Sequence, residues 1–210
     1  MSVTLQRLVA AQATADGYRF PSGKPWDLFV FGIRGAPRRQ DAWDDRIGVI
    51  YADDQGQWSC EVFEATTDPG SHALHNGMNP NGAARIVPGQ YRRVWQLGKR
   101  ASNGHPALMQ IGPFRIQRDN DKNTTYDEAA PVQGDGAALL LHEPWRDGLA
   151  TVGQASEGCQ VTRWSADARR IFDLVRRQAQ AGLGDRVSYT LWDLATTPAL
   201  APLFHLNPVT

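Results

Sequence analysis

His142 and Cys159 are the side chains of this sequence whose types and settings point most directly to nucleophilic catalysis. A thiol attacks a carbonyl carbon as its thiolate, and a neighbouring imidazole supplies the proton acceptor that makes the thiolate. Cys159 ends the stretch Ser156-Glu157-Gly158-Cys159, whose small and polar residues make a poor burial place for sulfur. Glycine at 158 lets the chain turn tightly enough to expose the sulfur and aim backbone N–H groups at it. His142 precedes Cys159 by seventeen residues and follows the apolar run Ala137 to Leu141, which reads as a buried strand that releases the histidine at its end. At adjacent strand ends the two can form a thiolate–imidazolium pair, with an activity limb near neutral pH. The chemistry expected is acyl transfer. His142 takes the thiol proton, Cys159 attacks a peptide carbonyl, and N–H donors of the Gly158-Cys159 turn hold the developing oxyanion. Water or an amine then resolves the acyl-enzyme, and the route needs neither a metal nor another cofactor.

The rest of the chain must position these residues. Its 210 residues, 41% of them hydrophobic, suffice to bury one core, so a single domain over 1–210 is expected, with 1–65 as an N-terminal part of uncertain role and 66–195 as the catalytic core. The 22 basic and 22 acidic residues cancel without long like-charge blocks, which argues against nucleic-acid or anionic-membrane partners. The longest apolar run, Leu28 to Ile33, has six residues, far short of the roughly 20 that span a bilayer, so no membrane span is expected. The first residues lack the apolar core of a secretory signal and read as a short amphipathic helix. If the substrate lies outside the cytoplasm, a chain made there must be carried out by something other than a leader of its own.

Glycines and prolines scattered along the chain separate short period-two or apolar segments, the pattern of a mainly β fold. Strands are expected at 26–34, 47–51, 57–65, 91–97, 107–111, 114–118, 137–142 and 186–192. Asp53-Asp54-Gln55-Gly56 makes a hairpin between two of them, and Pro88-Gly89 opens another. One segment breaks the pattern: Ser165 can cap a helix from Ala166 to about Ala181, with Ile171, Phe172, Val175 and Ala179 as its apolar stripe. Cys60 alternates with Trp58 and Val62 on one strand face and reads as a buried inert thiol; a Cys60–Cys159 disulfide would join a strand interior to the reactive loop and is not expected.

The stretch from His142 to Cys159 resembles the signature of the L,D-transpeptidase (YkuD-like) catalytic domain family, in which a histidine at a strand end is followed by Ser/Thr, a variable residue, Gly and the nucleophilic Cys. Thr66-Thr67-Asp68-Pro69-Gly70, Pro88-Gly89-Gln90-Tyr91 and Arg118-Asp119-Asn120-Asp121 add similarity to phage- and prophage-encoded relatives. The resemblance implies an L,D-transpeptidase-like β-sandwich with one helix after the nucleophile loop. It also implies Cys159 as nucleophile, His142 as base, Gly158 with Cys159 at the oxyanion turn and Ser156 as the hydroxyl that shapes it. The implied substrate is the peptidoglycan stem peptide of the periplasm or cell wall. Peptidase or carboxypeptidase hydrolysis is slightly favoured over cross-linking, because a chain without a leader of its own fits a phage or secreted-effector enzyme delivered by a holin or a secretion system. Two departures bear on substrate binding: Glu157 stands where histidine is frequent, and Gln160-Val161 replaces an apolar-Arg or apolar-Asn pair. A carboxylate at 157 raises the Cys159 pKa unless it faces outward, meets a cationic substrate group, or pairs with Arg146 or Arg163.

Two rival classes are open on the sequence. A non-catalytic phage or cell-wall-binding module would keep the fold without turnover. A metal-dependent hydrolase would use His72 and His75, with His105 or a carboxylate, although residues 70–77 read as a solvated loop without the helical context that sets ligand geometry. Trp145, close behind His142, either lines the substrate cleft or packs on the core.

Overall fold

In the computed structural model, which describes residues 2–123, 125–126, 131–133 and 138–205, the chain begins with helix α1 (Ser2–Ala15) and strands β1 (Phe29–Arg34), β2 (Asp45–Ala52) and β3 (Trp58–Thr66). A short helix α2 (Ser71–Asn76) leads to β4 (Ala83–Ile86), β5 (Gly89–Lys99), β6 (Pro106–Gln110) and β7 (Ile116–Asp119). Then come β8 (Leu141–His142), β9 (Gln160–Thr162), helix α3 (Ser165–Gln178) and β10 (Arg186–Asp193), with a 3-10 segment at Pro198–His205.

The mainly β expectation holds, but the main sheet is a closed barrel in the order β1-β10-β5-β6-β8-β9-β3-β2 rather than two sheets of a sandwich. Closure comes from β1, which pairs in parallel with β10 on one side and antiparallel with β2 on the other. A sheet closed this way has no free edges to protect. Strands from the first 66 residues are therefore part of the barrel that carries His142 and the strand after Cys159. β4 and β7 form a separate two-stranded ribbon.

The apolar run at 28–33 explains how β1 serves two layers. Phe29, Phe31 and Ile33 pack with Leu5, Val9 and Ala13 of α1 and with Leu200 and Leu203, whereas Val30 joins the second cluster with Ile47, Val49, Tyr189 and Leu191. A continuous apolar strand is what burial on both faces requires, and each such side chain contributes about 1.5–3 kcal/mol. Cys60 lies with Trp58 and Val62 on the α1 side, as alternation predicts, and both cysteines are free.

The helix expected after the nucleophile is present, and its buried residues Ala168, Ile171, Phe172 and Val175 join the same cluster as Tyr189. Its cap differs from expectation: Ser165 lies within the first turn, and Asp147 Oδ1 accepts hydrogen bonds from both the Ser165 N–H and Oγ, each at 2.7 Å. Residues 71–76, expected to be loop, are helical. Here too a remote carboxylate caps, since Asp41 Oδ1 accepts from the Ser71 N–H at 2.9 Å. The strand expected at 137–142 shortens to Leu141–His142, and Ala137 lies outside the described residues. Side chains answer the backbone groups just before it. Leu139 N–H donates to Gln110 Oε1 at 2.7 Å, and Leu139 O accepts from the buried Trp95 Nε1 at 2.8 Å.

Candidate active site

β8 and β9 run parallel, with Leu141 opposite Gln160 and His142 opposite Val161. The Gln160 N–H donates to Leu140 O at 2.8 Å, which sets Cys159 beside Leu140. Side chains two residues apart on a strand share a face, so Cys159 and His142 turn to the same side. Both line one groove of about 500 Å³, together with Met78, Arg100, Arg118, Leu139 and Glu157. A groove of that size accommodates a short peptide segment.

His142 is buried, and its Nδ1 lies 2.6 Å from the Glu143 carbonyl oxygen. A carbonyl only accepts, so Nδ1 carries the proton and Nε2 keeps the lone pair of a base. Arg100 Nη1 stands 3.4 Å from the same Nδ1; with that nitrogen protonated, the contact is donor against donor and repels further positive charge on the ring. Burial first, and Arg100 second, push the imidazole down to about 4 against the opposing pull of Glu143. The Cys159 thiol is pushed up by burial and, more weakly, by the Glu157 carboxylate, against the Leu140 N–H at 3.5 Å and Arg100, which pull it down. At rest the groove therefore holds a neutral thiol and a neutral imidazole, not the ion pair expected from residue types, and the contacts of the sulfur are with Leu140 N–H and the Ala138 carbonyl. Such a pair calls for proton transfer during attack rather than before it.

The nucleophile turn is built from its own hydroxyl. Ser156 Oγ donates to Cys159 O at 2.8 Å and accepts the Gly158 N–H at 3.0 Å. That bond occupies the Gly158 N–H, which was expected to face an oxyanion, and leaves the Cys159 N–H as the donor of the turn without an acceptor among the described residues. Gly158 matters for shape instead. Its φ is +125°, and a Cβ there would sit 2.3 Å from Ala84 O. Gly158→Ala is expected to displace the turn, lowering stability by about 1–3 kcal/mol and kcat/KM by about 10²-fold or more. A thermal melt with kinetics checks this, and a variant with unaltered melting and rate contradicts it.

The other residues expected to touch substrate divide. Glu157 does line the groove, and its carboxylate meets neither Arg146 nor Arg163 but accepts from the Met78 N–H at 3.1 and 3.3 Å. Arg163 pairs instead with Glu64 at 3.2 Å. Gln160 is not a substrate contact: alternation turns it away from Cys159 into the interior, where its Oε1 accepts from Tyr189 Oη at 2.6 Å and its Nε2 donates to the carbonyls of Gly158 and Thr67. It props the turn from beneath. Trp145 neither lines the groove nor packs on the core; it is 66% exposed in the loop after His142.

His72 and His75 fall on α2, where His75 Nδ1 is bonded to Ser71 O at 2.9 Å, while His105 is held by Glu143 at 2.8 Å. Among the described residues, no three His, Cys, Asp or Glu side chains converge as metal ligands. The Thr66-Thr67-Asp68-Pro69-Gly70 segment underlies the nucleophile loop: Gly70 N–H donates to Ser156 O at 2.9 Å, and Asp68 is bound by Arg34 and Arg85, each at 2.7 Å. Sequence reasoning missed Arg100. Nothing in Lys99-Arg100 marks it; it reaches the site because β6 pairs with both β5 and β8, bringing the β5–β6 turn to His142.

No family model matches this chain, and no curated protein or solved structure does either, so the functional reading rests on the residues and geometry above.

Proposed function

We propose that this protein is a cysteine-nucleophile acyl-transfer enzyme of the L,D-transpeptidase type, acting on peptidoglycan stem peptides with hydrolysis favoured over cross-linking. The observation that carries the reading is the shared face of Cys159 and His142 on the β8–β9 pair, at the wall of one groove. His142 Nε2 takes the thiol proton as Sγ attacks the carbonyl carbon, the Cys159 N–H receives the oxyanion, and the same imidazole returns the proton to the leaving amine. Water admitted by the groove then cleaves the thioester. The fold that goes with this reading is an L,D-transpeptidase-like sheet with α3 behind the nucleophile turn, closed here into a barrel. Glu157, acidic and in the groove lining, would meet an amine on the stem by giving up its contact with the Met78 N–H. The substrate class is supported by the signature from His142 to Cys159 and by the Thr66–Gly70 segment that braces it. The likeness of the Thr66–Gly70 and Arg118–Asp121 segments to phage- and prophage-encoded relatives supports a phage role, with delivery by a holin or a secretion system.

Incubation with purified peptidoglycan, followed by mass analysis of the fragments, tests the substrate class. Shortened stems are expected, with water rather than a second stem as acceptor. Intact stems, or cleavage confined to the glycan, contradict the proposal.

A further inference from the structure

Three successive peptide units make the nucleophile turn, and they are held unequally. In the unit joining Glu157 to Gly158, the carbonyl accepts from the Ala84 N–H at 3.2 Å and the Gly158 N–H donates to Ser156 Oγ at 3.0 Å. In the unit joining Cys159 to Gln160, the carbonyl accepts from Ser156 Oγ at 2.8 Å and the Gln160 N–H donates to Leu140 O at 2.8 Å. Both are pinned at each end. In the unit between them the Cys159 N–H has no acceptor among the described residues, while the Gly158 carbonyl accepts from the buried side chain of Gln160, with Nε2 at 3.3 Å. This peptide is planar and trans, so its C=O and N–H point in opposite directions. A donor that draws the carbonyl toward the barrel interior therefore aims the Cys159 N–H the other way, to the side on which Cys159 lines the groove.

The Gln160 amide is itself fixed from three sides. Its Nε2 donates to Gly158 O and, at 3.4 Å, to Thr67 O. Carbonyls only accept, so the amide cannot turn over without setting its oxygen against both, and Oε1 is left to accept from the Tyr189 hydroxyl at 2.6 Å. Burial pushes that hydroxyl well above its ordinary pKa, so it stays a donor. Thr67 is anchored in turn: its carbonyl accepts from Arg34 Nη2 at 3.2 Å, and its N–H and Oγ donate to Asp45 Oδ2 at 2.6 and 2.8 Å. Gly32, inside the apolar run of β1, clears the space for the phenol, since a Cβ there would lie 2.0 Å from Tyr189 Oη. We propose that Gln160 is a positioning residue for the oxyanion donor, with Tyr189 setting its amide, and that together they lock the Gly158–Cys159 peptide with the Cys159 N–H facing the groove. The inference rests on the acyl-transfer reading and adds the side chains that aim its donor. A hydrogen bond to the carbonyl of a peptide also strengthens the N–H of the same unit, because the two polarise one another. An apolar residue after the nucleophile would leave that carbonyl free to turn.

Gln160→Met keeps the length of the side chain and removes its donors. Tyr189→Phe removes one oxygen and leaves the ring packed on Trp95 at 4.5 Å and Phe114 at 6.4 Å. Wild type and both variants are each given a small activated ester and, separately, iodoacetamide, and modification of Cys159 is followed by mass spectrometry. The ester reacts through a tetrahedral oxyanion, whereas iodoacetamide alkylates the same sulfur by displacing iodide and forms none. The ratio of acylation to alkylation rate is expected to fall about 10- to 100-fold in both variants, less than the loss for removing an oxyanion donor outright. A ratio unchanged in either variant overturns the inference whatever the absolute rates do, because a merely structural role lowers both reactions alike. Should Gln160→Met fail to fold, Tyr189→Phe decides on the same ratio. Alkylation of wild-type Cys159 without acylation by the ester or by a stem tetrapeptide overturns the acyl-transfer reading and the inference with it.

Discussion

Replacing Cys159 with alanine is expected to lower acyl transfer by about 10⁵- to 10⁶-fold, the scale seen when a nucleophile is removed from a site of this kind. The fold should survive the change. The sulfur's hydrogen-bond contacts are the Leu140 N–H at 3.5 Å and the Ala138 carbonyl at 4.0 Å, both long, while Ser156, Gly158 and Gln160 hold the turn without it. Serine at 159 should be nearly as inactive, since a hydroxyl is far harder to deprotonate with this base. Cys60→Ser supplies the control. Cys60 packs beside Trp58 and Val62, and burial pushes its thiol up to about 12, so its loss should cost packing but not turnover. Rate measurements with both variants check the roles, and comparable losses from both would contradict them.

Replacing His142 with alanine is expected to lower the rate by about 10²- to 10⁴-fold, the worth of a positioned proton acceptor. The pH profile carries the sharper signature. A base works unprotonated, so wild-type activity should be present above the imidazole pKa and fall as pH drops through about 4, well below the neutral limb that the residue type suggests. The displacement follows from burial and from Arg100. The alanine variant should lack that acid limb, and its remaining rate should climb toward alkaline pH as the thiolate forms. An unaltered rate, or a wild-type limb near 6.5, would remove His142 from the role given to it.

The strands were legible because their apolar residues alternate or run together. The apolar run from Leu28 to Ile33 yields the strand Phe29–Arg34, Arg186–Asp193 is a strand as well, and α3 has the apolar stripe its sequence shows. What escaped depends on partners remote in the chain. Both α2 and α3 are capped by carboxylates from other segments, Asp41 and Asp147, so a search for local caps overlooks the first and misplaces the second. β9 has three residues, too few for periodicity to register, yet its pairing with β8 turns Cys159 into the groove and Gln160 out of it. Closure into a barrel depends on β1 meeting β10 across more than 150 residues of chain, which no local pattern encodes. Protonation was the least legible property. Residue types suggest an ion pair, whereas burial of both groups and the approach of Arg100 favour neutral partners.

That neutral pair shapes the test of the central claim. If Cys159 attacks only as His142 takes its proton, a covalent thioester must form on this one sulfur during turnover. Wild-type protein mixed with a stem tetrapeptide, quenched rapidly in acid and digested, should yield the peptide containing Cys159 heavier by the donor less its leaving residue. The peptide containing Cys60 should be unmodified, and Cys159→Ala should give no adduct. Turnover without an adduct on Cys159, or an adduct that persists in Cys159→Ala, would contradict the account.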